Sequence, residues 1–172
     1  FDLSYLSHMP NMTVMVPSDG TELQAMLDFS ITMDGPSAIR YPKGKVPPMT
    51  KEIREPLQLG KARKVAEGKD VTILATGLEV SEALEAAKML ANDGIDAEVI
   101  NIHTIKPLDE ELVLASAAKT GKVVTVDEHS VIGGLGSAVA ELLCEKAPTK
   151  MLRIGVYDRF GESGPATELL HK

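Results

Sequence analysis

"DVTILATGLEVSEALEAAKMLANDGIDAEVINI", Asp70 to Ile102, decides the fold. It opens on "VTILA", a nearly continuous apolar run of strand length, and closes on a second such strand in "DAEVINI". Between them Val80, Leu84, Ala87 and Leu90 recur at helical spacing, and Gly94 supplies a C-terminal stop. Strands that are apolar throughout, rather than alternating, are buried on both faces, and a helix between two of them gives a parallel pair.

The same alternation continues downstream. "LDEELVLASAAKTG" reads as a helix opened by Pro107, "KVVTVDE" as a strand covered on both sides, "GGLGSAVAELL" as a glycine-led helix and "MLRIGVYD" as a further strand. Upstream, "GKARKVAEG" reads as an edge strand or hairpin arm. The pattern predicts a three-layer α/β/α fold with a mostly parallel, five-stranded sheet.

Before it lies a shorter strand, helix, strand unit. "TVMVPS" and "SAIRYP" are its strands, and "SDGTELQAMLDFSI" its helix, with Asp19 and Glu22 in a capping pattern. Residues 43–58 lose periodicity and carry prolines 47, 48 and 56, so they suit an extended linker. The expected boundary lies near residue 50, dividing the chain into 1–50 and 51–172.

The net charge of −7 argues against a broad nucleic-acid surface, although a local cation could still hold a small anion. No apolar run approaches the roughly 18 residues needed to cross a bilayer. The single cysteine, Cys144, excludes an intramolecular disulfide and any multi-cysteine metal site, which makes cytoplasm the default expectation. Phe1 follows no targeting pattern and "SGPATELLHK" stops inside an apparent helix, so the sequence reads as a piece of a longer protein.

Four places could carry chemistry. Gly133, Gly134, Gly136 and Ser137 lie between a strand and a helix, where backbone N–H groups can receive an anion. Their spacing is neither G-x-G-x-x-G nor a P-loop, and glycine also permits close packing with no ligand, which is the favoured reading. Asp127, Glu128 and His129 stand at a strand end and could transfer protons, but neighbouring strand residues face opposite ways, which favours a capping or interface role. Arg40, in an otherwise apolar strand, could bind a phosphate or carboxylate bidentately, or pair with a neighbouring acid. His103 reads as a loop histidine satisfied by backbone, and His8 and His171 as surface residues. No His or Cys pairs stand at metal spacing, so no metal site is expected.

The ordered set of motifs carries a resemblance over practically the whole chain. "FDLSYLSHMPNMTVMVPSD" with "AIRYPKG" resembles the later part of the pyrimidine-binding domain in 1-deoxy-D-xylulose-5-phosphate synthases. "GKDVTILATG", "EVINIHTIKPLDEE", "VTVDEHSVIGGLGSAVAELL" and "DRFGESG" resemble the C-terminal domain of transketolases, especially forms whose halves are separate chains.

The resemblance implies a transferase that uses thiamine diphosphate and magnesium to move a two-carbon unit to a phosphorylated aldehyde. The G-D-G motif that holds the diphosphate and metal, and the glutamate that activates the cofactor, have no match here. The chain by itself is therefore expected to be inactive, with no catalytic, cofactor-binding or metal-binding residue of its own. Arg40 matches the arginine that binds the substrate phosphate, and Asp2 lies near the same entrance. The C-terminal domain is expected to contribute to a homodimer, or to an assembly with a catalytic N-terminal half. Alternatives are a stand-alone assembly subunit, the β subunit of a 2-oxo acid dehydrogenase, or a nucleotide-binding domain using Gly133 to Ser137.

Overall fold

The computed structural model describes residues 1–43, 56–164 and 168–169. The first part holds α1 (Asp2–Ser7), β1 (Thr13–Met15), α2 (Gly20–Thr32) and β2 (Ser37–Ile39). Asp19 caps α2 by accepting from the Glu22 N–H at 2.7 Å, while the Glu22 carboxylate reaches back to the Ser18 N–H at 2.7 Å. This is the expected reciprocal cap, displaced by one residue. β1 and β2 pair in parallel, from Thr13 opposite Ser37 to Met15 opposite Ile39.

The second part holds β3 (Arg63–Ala66), β4 (Val71–Ala75), α3 (Glu79–Asn92), β5 (Ala97–Asn101), β6 (Thr104–Lys106), α4 (Glu110–Thr120), β7 (Lys122–Ser130), α5 (Leu135–Lys146) and β8 (Lys150–Val156). Five of its strands form one sheet in the order β3-β5-β4-β7-β8. Only the edge strand β3 is antiparallel to its neighbour. The mostly parallel, five-stranded sheet is thus the one the sequence predicts.

Alternation along the strands sorts two cores. Ile73, Ala75, Ala97 and Val99 face α3 and pack on Val80 and Ala83. Leu74, Ile100 and Val123 face the other way, against Val113 and Ala117 of α4 and Val139, Leu142 and Leu143 of α5. Leu3, Val14 and Val16 join this second core, so the short first unit and the large sheet share buried apolar surface. Coverage of the α3 face is incomplete: Val124, Val126, Leu152 and Ile154 line an open apolar groove beside α3.

Two local expectations change. The helix of "LDEELVLASAAKTG" begins at Glu110, not at Pro107, because Asp109 is its cap and accepts from the Leu112 N–H at 3.1 Å. The residues before it form β6, which pairs antiparallel with β1 and completes a three-stranded sheet, β2-β1-β6. A three-residue strand that finds its partner about ninety residues away leaves no periodic signal. The proposed boundary near residue 50 falls in residues 44–55, outside the described residues, as do most of the expected terminal helix and His171.

A buried polar network also joins the two parts. Glu22 accepts from Ser18 Oγ at 2.8 Å, Asn101 Nδ2 at 3.1 Å and Arg63 Nη1 at 3.2 Å. Such a carboxylate is tolerable in the interior only because several donors and a cation surround it.

Candidate functional site

Arg40 beyond β2 meets Glu128 near the end of β7, Glu79 beyond β4 interacts electrostatically with both, and open α/β sheets bind ligands beyond such strand ends. Arg40 lies one residue past β2, and its backbone N–H donates to the Met15 carbonyl at 2.9 Å. That bond fixes where the side chain starts. The guanidinium then crosses to β7: Nη2 donates to the Glu128 carbonyl at 2.7 Å and Nη1 lies 3.5 Å from Glu128 Oε2. Nε stands 3.5 Å from Asp2 Oδ2, at the start of α1. One cation thus faces two carboxylates, one from α1 and one from β7.

β7 presents its three charged residues on two faces, as a pleated strand must. Asp127 and His129 point into the α5 side and are 6% and 3% exposed, whereas Glu128 lies on the α3 side and is partly exposed. His129 Nδ1 lies 2.9 Å from the Ser130 carbonyl, an acceptor only, so in the neutral ring the proton sits on Nδ1. The lone pair on Nε2 then faces Asp2 Oδ1 at 3.6 Å, and Nε2 has no hydrogen-bond partner. Burial pushes Asp2 up, but the Leu3 amide, Arg40, the ammonium at Phe1 and His129 together outweigh it and hold its carboxyl below the usual value.

The glycine cluster is explained by the same strand. Asp127 Oδ2 accepts from the N–H of Leu135, the first residue of α5, at 2.9 Å. The position where a phosphate would sit in a nucleotide site is filled by the chain's own carboxylate. Burial still pushes Asp127 upward, against the Leu135 amide, His129 and Arg40. Gly133 N–H donates to Ser137 Oγ at 2.8 Å, which occupies a second amide. A Cβ on Gly133 would stand 2.3 Å from Ser4 Oγ, and one on Gly134 would stand 2.5 Å from Asp127 Oδ2. Close packing and internal capping, rather than a cradle, account for these glycines.

Glu79, the first residue of α3, adds a third carboxyl to the neighbourhood. A helix N-terminus favours its ionised form. Burial, followed by repulsion from Glu128, Glu82 and Asp127, overrides this and Arg40, and raises its pKa to about 7. Between pH 4.5 and about 7 the folded chain therefore retains a proton that the unfolded chain releases. This contribution to stability is complete below the unfolded value and disappears as pH rises through the folded one. Glu79→Gln is expected to remove that slope and to raise stability at pH 8 by about 1 kcal/mol, after allowance for solvent screening. Denaturant titrations at pH 5 and pH 8 check it, and an equal effect at both would refute it.

Of the residues singled out from sequence, Arg40, Asp2, Asp127, Glu128 and His129 come together. His103 does not. It is buried beside the Glu22–Arg63 network, with Nδ1 2.9 Å from Thr104 Oγ1, and burial lowers its pKa. His8 is exposed. The role of Glu79 was not apparent, because a glutamate in the first turn of a helix is ordinary and only the tertiary fold brings Glu128 to it. Among the described residues no group of three or more His, Cys, Asp or Glu side chains could hold a metal ion. Nor is any described helix long and apolar enough to cross a membrane.

This is a mostly parallel α/β domain with a charged cluster at its strand ends, preceded by a small unit that supplies the cluster's arginine. Family comparisons place it further. Residues 60–172 match the model of the transketolase C-terminal domain, and residues 1–49 that of the transketolase pyrimidine-binding domain. The chain belongs to the transketolase family. It is 47% identical to 1-deoxy-D-xylulose-5-phosphate synthase 1 of Geobacter sulfurreducens, across 98% of this chain and 27% of that protein. It is 50% identical to the 6-deoxy-6-sulfo-D-fructose transketolase subunit SqwH of Clostridium sp. strain MSTE9, across 99% of this chain and 53% of that one. A solved structure described as a split-gene transketolase, an inactive β4 tetramer, superposes with a TM-score of 0.94 at 45% identity, over 99% of this chain and 55% of that one. The chain therefore spans about half, or about a quarter, of the relatives it matches.

Proposed function

We propose that this chain is the C-terminal portion of a thiamine-diphosphate-dependent transferase that moves a two-carbon unit to a phosphorylated aldehyde, and that Arg40 holds the phosphate. The observation that carries the reading is the position of Arg40 beyond the strand ends, in a chain whose relatives are named for transketolase and 1-deoxy-D-xylulose-5-phosphate synthase. Its two carboxylate contacts are both long, at 3.5 Å, and the main-chain bond to Glu128 holds the guanidinium independently of them. An incoming anion could take the carboxylates' place without freeing the side chain.

Among the described residues no cluster of three or more His, Cys, Asp or Glu side chains could hold the metal. Thiamine diphosphate and magnesium are held, in this reading, by segments outside residues 1–172. A chain of this kind works in an assembly, as a homodimer of a longer protein or with a catalytic N-terminal half, in the cytoplasm. The inactive β4 tetramer formed by the split-gene relative accords with a chain that needs its other half for activity.

A second reading concerns the anionic group alone. The Clostridium relative is named for a sulfonated sugar. Sulfonate offers a guanidinium the same oxygen edge as phosphate, with one charge fewer. In either case Arg40→Ala, measured in the complete assembly, is expected to raise KM for the anionic substrate about tenfold to a hundredfold. KM for an uncharged acceptor should hardly move. An unchanged KM for the anionic substrate would remove Arg40 from the site.

A further inference from the structure

The geometry points to Glu128 as the residue through which the C-terminal domain sets the anion selectivity of Arg40: its carboxylate stands on the guanidinium edge that an incoming anion needs, and penalises that anion according to its charge. This inference rests on the assignment of Arg40 as the binding cation.

Glu128 makes two separate contacts with Arg40. Its carbonyl accepts from Nη2 at 2.7 Å and belongs to the backbone of β7, so no substitution of the side chain removes it. The carboxylate lies 3.5 Å from Nη1, close enough to offset the positive charge and too far for a strong bond. Holding the arginine and neutralising it are thus divided between two parts of one residue. Glu128 also has room to withdraw, because its side chain is 35% exposed.

The surroundings strengthen the point. Asp2 takes the Nε side of the guanidinium at 3.5 Å, and Glu79 and Asp127 both feel Arg40 electrostatically. Two carboxylates thus stand at 3.5 Å from the guanidinium, and two further carboxyl groups lie within its electrostatic reach. A ligand entering here meets an excess of acidic groups, and Coulomb energy scales with the ligand's own charge. Removing one nearby negative charge therefore helps a dianion about twice as much, on a logarithmic scale, as a monoanion.

The test uses the complete assembly, with inorganic phosphate and methanesulfonate as competitive inhibitors at pH 8, where phosphate is largely dianionic. Glu128→Gln keeps the main-chain hold and the side-chain shape while removing the charge. It is expected to lower the inhibition constant of phosphate about fivefold and that of methanesulfonate about twofold. Substrate KM should follow the anion of the same charge. Glu128→Ala should give the same ranking, which provides a second measurement if the glutamine variant folds poorly, and Glu128→Asp should restore the discrimination. An equal change for both anions, no change, or weaker binding of phosphate would each overturn the inference. Arg40→Ala separates the two levels of the argument. If it leaves both inhibition constants unchanged, the assignment of Arg40 fails; if it raises both while Glu128→Gln does not discriminate, only the role of Glu128 fails.

Discussion

Glu22→Ala is expected to lower the unfolding free energy by about 3–5 kcal/mol, the range for breaking a buried ion pair by removing one member. The Glu22 side chain is 1% exposed and its two oxygens receive the Ser18 amide and hydroxyl, Asn101 Nδ2 and Arg63 Nη1. Alanine deletes an acceptor shared by all four donors at once, and a buried donor that loses an acceptor is costly in a low-dielectric interior. The donors also come from both parts of the chain, Ser18 from before α2 and the others from β3 and β5. The substitution should therefore loosen the seam between them as well as destabilise each. Glu22→Gln, which keeps the shape and part of the hydrogen bonding, should cost less than alanine. Equilibrium denaturation of both variants checks this, and a loss below about 1 kcal/mol for alanine would show that the network adds nothing net.

How much of this was legible in the sequence depended on the range of the interaction. β4, α3 and β5 could be read because continuous apolar runs and 3.6-residue spacing are local consequences of facing two cores. The Asp19 cap and the Gly94 stop were likewise local. Gly94 does adopt the left-handed conformation, with φ +76°, that favours glycine. β6 could not be read, since three residues hold too little pattern to reveal a partner in β1.

The site shows the same division. Arg40 stood out because a charge interrupts an apolar strand, and its pairing with an acid was one of two readings left open. Which acid could not be inferred: Glu128 lies 88 residues away, and only the placement of β2 beside the end of β7 brings them together. The facing rule for strands did separate Asp127 and His129 from Glu128 correctly. It could not say that the first of these would cap α5, because the cap reaches eight residues forward, beyond the local N-cap pattern.

That cap supplies the second large effect. Gly134→Val is expected to cost about 2–6 kcal/mol, and to impair folding or assembly before it impairs ligand binding. A Cβ at residue 134 would lie 2.5 Å from Asp127 Oδ2, 2.8 Å from His129 Nδ1 and 3.1 Å from the Ser130 carbonyl. Neither side chain can simply swing away, because both are more than nine-tenths buried. Overpacking alone costs about 1–3 kcal/mol. Displacing Asp127 also breaks its bond to the Leu135 amide and leaves a second carboxylate oxygen unpartnered beside Oδ1, adding about 1–3 kcal/mol. Asp127→Asn retains an acceptor without the crowding, and should cost less than Gly134→Val. Denaturation midpoints give the ranking, and anion inhibition of whatever assembled fraction remains tests the order of failure. A valine variant that folds and assembles normally but no longer binds phosphate would return the glycines to the role of an anion cradle.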